Sequence, residues 1–183
     1  MRRNLFSEGS QPSLEEVLQT RENRVRFQET LAEKYSPDTV ISFKLNIPGP
    51  VKNNDSIEKI FSVGRADILE VLTGMTCGIL YEKEMNLNTG PELFLVVKAS
   101  LHEVKNAMIG LEEEKALGRL YDLDVFIAEG NEIRTMSREE LGFSERKCLV
   151  CGKSAKECGR NRTHEINEMH DKIMEIMETE KRL

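Results

Sequence analysis

The eight residues Gly118–Val125, G-R-L-Y-D-L-D-V, place Asp122 and Asp124 two apart inside an otherwise apolar run. Side chains alternate along a β-strand, so the two carboxylates share one face while Tyr121, Leu123 and Val125 take the other. Like charges this close raise each other's pKa unless a cation lies between them, and a hard divalent ion with oxygen ligands suits that position. A solvated strand edge carrying two acids is the plainer alternative, and an isolated Asp-x-Asp does not decide between the two. A second group with chemistry is Cys148, Cys151, Cys158 and His164, spaced C-x2-C-x6-C-x5-H. Three soft thiolates and an imidazole in so short a span are permissible ligands for a structural zinc, although the spacing is not that of a standard zinc finger. The other reading is a set of reduced thiols, with His164 opening the last helix.

The elements that must position these residues follow from periodicity. Ser13 is a fair N-cap, with Glu15 and Glu16 in the first turn, and a helix is expected over 13–35. Its apolar stripe runs Leu14, Leu18, Val25 and Ala32, interrupted by Arg21 and Gln28, so Arg21 either snorkels or binds an anion. From Asp38 the pattern alternates, with Val40, Ser42, Lys44 and Asn46 on one face and Ile41, Phe43, Leu45 and Ile47 on the other, until Pro48-Gly49-Pro50 stops the strand. Helical spacing over 55–73 predicts a second helix. Strands are expected near Thr76–Glu84 and Glu92–Lys98, around the turn Asn88-Thr89-Gly90-Pro91. Ser100 caps a third helix with the stripe Leu101, Val104, Met108 and Leu111, and the aspartate strand follows. The order is β-α-β-β-α-β, the ferredoxin-like arrangement of an α+β fold, in which the last strand lies beside the first with both helices on one side. Lys44, Asn46, Asp122 and Asp124 would then line the opposite, open face together. Carboxylates for a metal ion and a cation for a leaving diphosphate are the parts that phosphoryl or nucleotidyl transfer uses.

With 183 residues, the chain suits one domain, 1–183, comprising a frayed start over 1–12, the helix 13–35, an α/β core over 38–128 and an extension over 137–183. That extension holds a short helical turn ending near Gly142, a basic Cys-rich stretch from Arg146 to Arg162, and an amphipathic helix after His164. The net charge of −6 argues against a general nucleic-acid binder. No apolar run reaches the length of a membrane span, and Met-Arg-Arg leads into polar residues and not into the apolar segment of a signal peptide, so a cytoplasmic protein is expected. Four cysteines, three of them within Cys148–Cys158, fit reduced thiols or a metal site better than a disulfide framework.

Five segments, in order along nearly the whole chain, resemble one family, the holo-acyl-carrier-protein synthases of citrate lyase, also called apo-citrate lyase phosphoribosyl-dephospho-CoA transferases. They are L-E-E-V-L-Q-T-R-E-N-R at Leu14–Arg24, S-F-K-L-N-I-P-G-P-V-K at Ser42–Lys52, T-G-P-E at Thr89–Glu92, G-R-L-Y-D-L-D-V, and R-K-C-L-V-C-G with the Cys158, Arg160, Arg162 and His164 that follow. Residues 53–88 carry little of the likeness. The resemblance implies a nucleotidyltransferase that moves phosphoribosyl-dephospho-CoA from triphosphoribosyl-dephospho-CoA to a serine of the citrate lyase acyl carrier subunit, releasing diphosphate. On residue chemistry, Asp122 and Asp124 would hold magnesium and one or other would help take the hydroxyl proton, Arg21, Lys44, Lys52 and Arg119 would bind the triphosphate, and Asn46 would fix its geometry. Glu82, Glu84 and Glu92 compete as a third metal ligand. The basic Arg146–Arg162 stretch would face cofactor phosphates or an acidic carrier. Two other functions stay open: a non-catalytic ferredoxin-like ligand-binding regulatory module, and a zinc-dependent interaction module.

Overall fold

The computed structural model describes residues 5–130 and 132–183. Strands β1 (Thr39–Leu45), β2 (Ile79–Leu87), β3 (Gly90–Val97), β4 (Tyr121–Glu129) and β5 (Glu132–Thr135) form one antiparallel sheet in the order β2-β3-β1-β4-β5. The aspartate strand β4 therefore lies beside β1, as the β-α-β-β-α-β order implied, and a fifth strand with no apolar pattern of its own extends the sheet beyond it. The β2–β3 hairpin turns on Asn88-Thr89, with Leu87 opposite Gly90. Pairing thus begins at Gly90, two residues before the strand start expected at Glu92.

Helices α2 (Asp55–Gly74) and α3 (Leu101–Glu114) cover one face of the sheet. Asn54 starts α2 by accepting a hydrogen bond from the Ile57 N–H at 2.9 Å, and Ser100 starts α3 through a reciprocal capping box with Glu103. The alternate residues Ile41, Phe43, Leu93, Leu95, Val97, Leu123 and Val125 point into this layer and pack with Ile57, Ile60, Phe61, Ile68, Val104 and Met108. Tyr121 joins the same core. Its hydroxyl donates to Asp67, fully buried in α2, at 2.8 Å, and Arg182 reaches the other oxygen of that carboxylate at 2.7 Å. Burial and the adjacent Asp67 carboxylate push the Tyr121 phenol far up, so it stays a neutral donor.

The other face is not open. Helix α1 (Leu14–Tyr35), held at its start by a Ser13–Glu16 capping box, lies across it. Leu31 and Ala32 close over Val40, Phe94, Val96 and Phe126, with Phe27 and Tyr35 at the edge. The expected stripe is correct only at Ala32, because Leu14, Leu18 and Val25 remain exposed. The docked side runs instead through Thr20, Arg24, Phe27, Leu31 and Tyr35, where the aromatic rings meet Phe94 and Tyr81 of the sheet. Truncating Leu31 in this layer would cost about 2–5 kcal/mol.

The start of the chain is also more ordered than its composition implied. Residues 1–4 of the expected frayed segment lie outside the described residues, while Phe6 is buried and Ser10 bridges Asn53. Asn54 donates from Nδ2 to the carbonyls of Leu5 and Glu8. Beyond β5, a 3-10 turn over Glu139–Leu141 leads into the Cys-rich stretch. Helix α4 (Ala155–Asn161) inside that stretch has no clear period in the sequence, whereas α5 (Ile166–Thr179) follows the expected amphipathic pattern and buries Ile173 and Met174 against the core.

Candidate active site

Helix α1 shields only part of its sheet face. At the open end, the β1 and β4 register sets Lys44 opposite Asp122 and Ser42 opposite Asp124, while β3 sets Glu92 on the other side of Lys44. The lysine therefore stands between two carboxylates, and its ammonium donates to Asp122 Oδ2. Glu92 is buried because Arg24 closes over it, with Nε and Nη2 donating to one carboxylate oxygen at 2.8 and 2.6 Å. Charges this far from water are tolerated because each is paired.

These groups border a cavity of about 200 Å³ lined by Arg24, Lys44, Leu45, Asn46, Ile47, Lys52, Ile57, Thr89, Gly90, Pro91, Glu92 and Asp122. Lys52 reaches in from the loop after Pro50 and donates to the Ile47 carbonyl at 3.0 Å. The Thr89 hydroxyl meets that of Thr20 at 3.2 Å, tying the hairpin turn to α1. The lining carries three cations against two carboxylates, a balance that favours an anionic ligand. Burial pushes the Lys44 ammonium below its ordinary range; Asp124 and Glu92 pull it back, and Arg24 and Arg21 oppose them. Burial lowers Lys52 as well.

The expected site residues divide accordingly. Lys44, Asn46, Lys52 and Asp122 meet at the cavity. Asp124 lies one alternation further along β4, exposed and close enough to Lys44 to act on its charge, but it does not line the cavity. Arg21 stays exposed near its rim, and Arg24, one turn later, takes the inward position. Arg119 turns away and donates to the Lys147 carbonyl of the Cys-rich stretch. Of the three competing glutamates, Glu82 and Glu84 bind Arg65 on the far side of the sheet, and Glu92 alone reaches the cavity. Arg146 is structural in this arrangement, donating to the Tyr121 carbonyl at 2.7 Å beside the buried Glu112.

Sequence reasoning missed Arg24 and gave Glu92 only a competing role. The available signal was the spacing of Thr20, Arg24, Phe27 and Leu31, a second helical stripe with an arginine in it. Some distance along the chain, Cys148, Cys151, Cys158 and His164 come together with their ligand atoms within 4.8 Å of one another, a group able to hold a metal ion.

Fold and site define an α+β protein with a basic, carboxylate-bearing cavity at one end of an antiparallel sheet. Residues 12–180 match the family described as apo-citrate lyase phosphoribosyl-dephospho-CoA transferase, and the chain belongs to it. It is 33% identical over 177 residues to the probable apo-citrate lyase phosphoribosyl-dephospho-CoA transferase of Streptococcus pyogenes serotype M3, covering 97% of this chain and 91% of that one. A Citrobacter koseri protein of the same description is 33% identical over 158 residues, covering 86% of this chain and 84% of its own. Protein CitXG of Leuconostoc mesenteroides subsp. cremoris is 37% identical over 173 residues, 94% of this chain, which spans only 36% of that longer protein. No helix among the described residues is long and apolar enough to cross a membrane.

Proposed function

We propose that this chain transfers the phosphoribosyl-dephospho-CoA group from triphosphoribosyl-dephospho-CoA to a serine of the citrate lyase acyl carrier subunit. The observation that carries the reading is convergence. Of the segments that resemble the family, four contribute to one cavity: Leu14–Arg24 through Arg24, Ser42–Lys52 through Lys44, Asn46 and Lys52, Thr89–Glu92 through all its residues, and Gly118–Val125 through Asp122.

In the reaction, the partner's serine Oγ forms a bond to the phosphorus nearest the ribose, and the bond from that phosphorus to the departing diphosphate breaks. Lys44, Lys52 and Arg24 oppose the growing charge on the diphosphate from the walls of a partly open cavity. Of the two aspartates, Asp122 lines the cavity beside Lys44, which supports a role for it in taking the serine proton. Asn46 offers an amide at the mouth to orient a phosphate oxygen. Asp122 and Asp124, on one face of β4, would hold a magnesium ion brought with the triphosphate, and that ion would supply further neutralisation of the diphosphate. Exposed Arg21 at the rim adds attraction for the incoming anion.

The experiment is direct. Apo carrier subunit, triphosphate precursor and magnesium are incubated with the protein, and the carrier is weighed by mass spectrometry. A carrier heavier by the prosthetic group, attached at a serine, is expected. An unchanged carrier mass with folded protein present overturns the reading.

A further inference from the structure

We infer that Cys148, Cys151, Cys158 and His164 form a closed structural zinc site that anchors the C-terminal helix against the loop of the candidate active site. Cys148 and Cys151 flank a tight turn in which the Cys148 N–H donates to the Lys153 carbonyl at 2.6 Å and the Gly152 N–H donates back to the Cys148 carbonyl at 3.1 Å. Gly152 sits at φ +72°, where a side chain would strain the turn. Cys158 comes from inside α4 and is buried. Arg162 at φ +47° then takes the chain out of α4, and the Thr163 N–H returns to the Cys158 carbonyl at 3.1 Å, which presents His164 to the three sulfurs.

The imidazole supplies the independent observation. His164 Nε2 is buried with no hydrogen-bond partner among the described residues, while its Nδ1 lies 3.8 Å from a carboxylate oxygen of Glu168. A metal-bound histidine uses one nitrogen for the metal, and the buried, unpartnered Nε2 is free for that role, with the Glu168 carboxylate near the other nitrogen but beyond hydrogen-bond distance. The four ligand atoms already lie within 4.8 Å of one another. Zinc–sulfur bonds of ~2.3 Å in a tetrahedron set the sulfurs about 3.8 Å apart, so small side-chain rotations complete the site. Soft thiolates with an imidazole select zinc over magnesium or calcium, and four protein ligands leave no open position for catalysis. A disulfide between Cys151 and Cys158, whose sulfurs stand 3.5 Å apart, would use neither Cys148 nor His164.

The site has a structural consequence. Helix α5 begins two residues after His164, and one turn along it His170 hydrogen-bonds the Pro48 carbonyl at 2.9 Å, with Gly49 against the same ring. Pro48 follows Ile47, which lines the cavity. Zinc bound at the start of α5 therefore braces the loop that carries Lys52.

Metal analysis of the full chain, purified without chelators or metal-affinity resin, tests this. One zinc per chain is expected. After zinc removal under reducing conditions, cobalt should titrate to one equivalent with the strong visible and thiolate charge-transfer bands of a tetrahedral site, and the melting temperature should rise as zinc is returned. Cys151→Ser should lose the cobalt bands; if that variant does not fold, the wild-type measurements still decide. Reduced, folded protein that is zinc-free, shows no cobalt bands and melts alike with and without zinc overturns the inference, as does a metal-free chain joined by a Cys151–Cys158 disulfide. None of these readouts depends on the transfer reaction.

Discussion

Arg24 grips a single oxygen of the Glu92 carboxylate with two of its nitrogens, at 2.8 and 2.6 Å, joining α1 to the middle of the sheet. The pair closes one wall of the cavity and holds a largely buried negative charge beside Lys44. Removing one partner strands the other. Arg24→Ala should destabilise the protein by about 3–5 kcal/mol in urea titrations. The double variant Arg24→Ala/Glu92→Ala should lose less than the two single losses added together. Additive losses would show that the pair is not coupled.

Asp122→Asn keeps the shape of the side chain and removes its charge. If Asp122 takes the serine proton, turnover should fall about 10²–10⁴-fold, with the circular dichroism spectrum and melting temperature close to wild type. Asp124→Asn should weaken the magnesium site that the two aspartates would share, and raising the magnesium concentration should recover part of its activity. Unaltered turnover in both variants would remove the carboxylate pair from the chemistry.

On the proposed reading Lys44 meets the diphosphate as a cation, and its burial lowers the pH at which it loses its proton. If that reading holds, kcat/KM should decline on an alkaline limb lying below the ordinary lysine value of 10.5. Arginine keeps its charge across this range, so Lys44→Arg should shift the limb upward, whatever it costs in absolute rate. Lys52, lowered by the same cause, is the control, because Lys52→Arg moves the limb only if that residue sets it. A limb unmoved by either substitution would assign it elsewhere.

Gly64 lets α2 approach β1 and β4. A Cβ there would stand 2.5 Å from Phe43 Cζ and 2.9 Å from Tyr121 Cε1, and Phe43 is already stacked on Phe61 with ring centroids 4.9 Å apart. Gly64→Ala should cost about 1–3 kcal/mol, and it should weaken the reaction too by displacing the strands that carry Lys44 and Asp122. Gly110 in α3 has nothing within 4 Å of such a Cβ, so Gly110→Ala should be neutral or stabilise by up to about 1 kcal/mol. Thermal melts of the two variants side by side check both directions.

Alternation alone placed Ile41, Phe43 and Leu45 on one side of β1 and Lys44 on the other, and did the same for Tyr121, Leu123 and Val125 against Asp122, because the pleat has a period of two and tolerates no slip. The cysteine spacing and the family resemblance were likewise readable in one dimension. What only the tertiary structure decided is which way the helices turn. Helix α1 carries apolar residues on two sides, Leu14, Leu18 and Val25 on one and Phe27, Leu31 and Tyr35 on the other, and periodicity cannot say which side meets the sheet. The aromatic faces of Phe94 and Tyr81 select the second, which turns Arg24 inward to Glu92 and leaves Arg21 at the rim. The hold of His170 on Pro48 spans 122 positions of sequence, and no local pattern encodes it. Faces of strands are local properties; the partner of a helix face depends on the rest of the molecule.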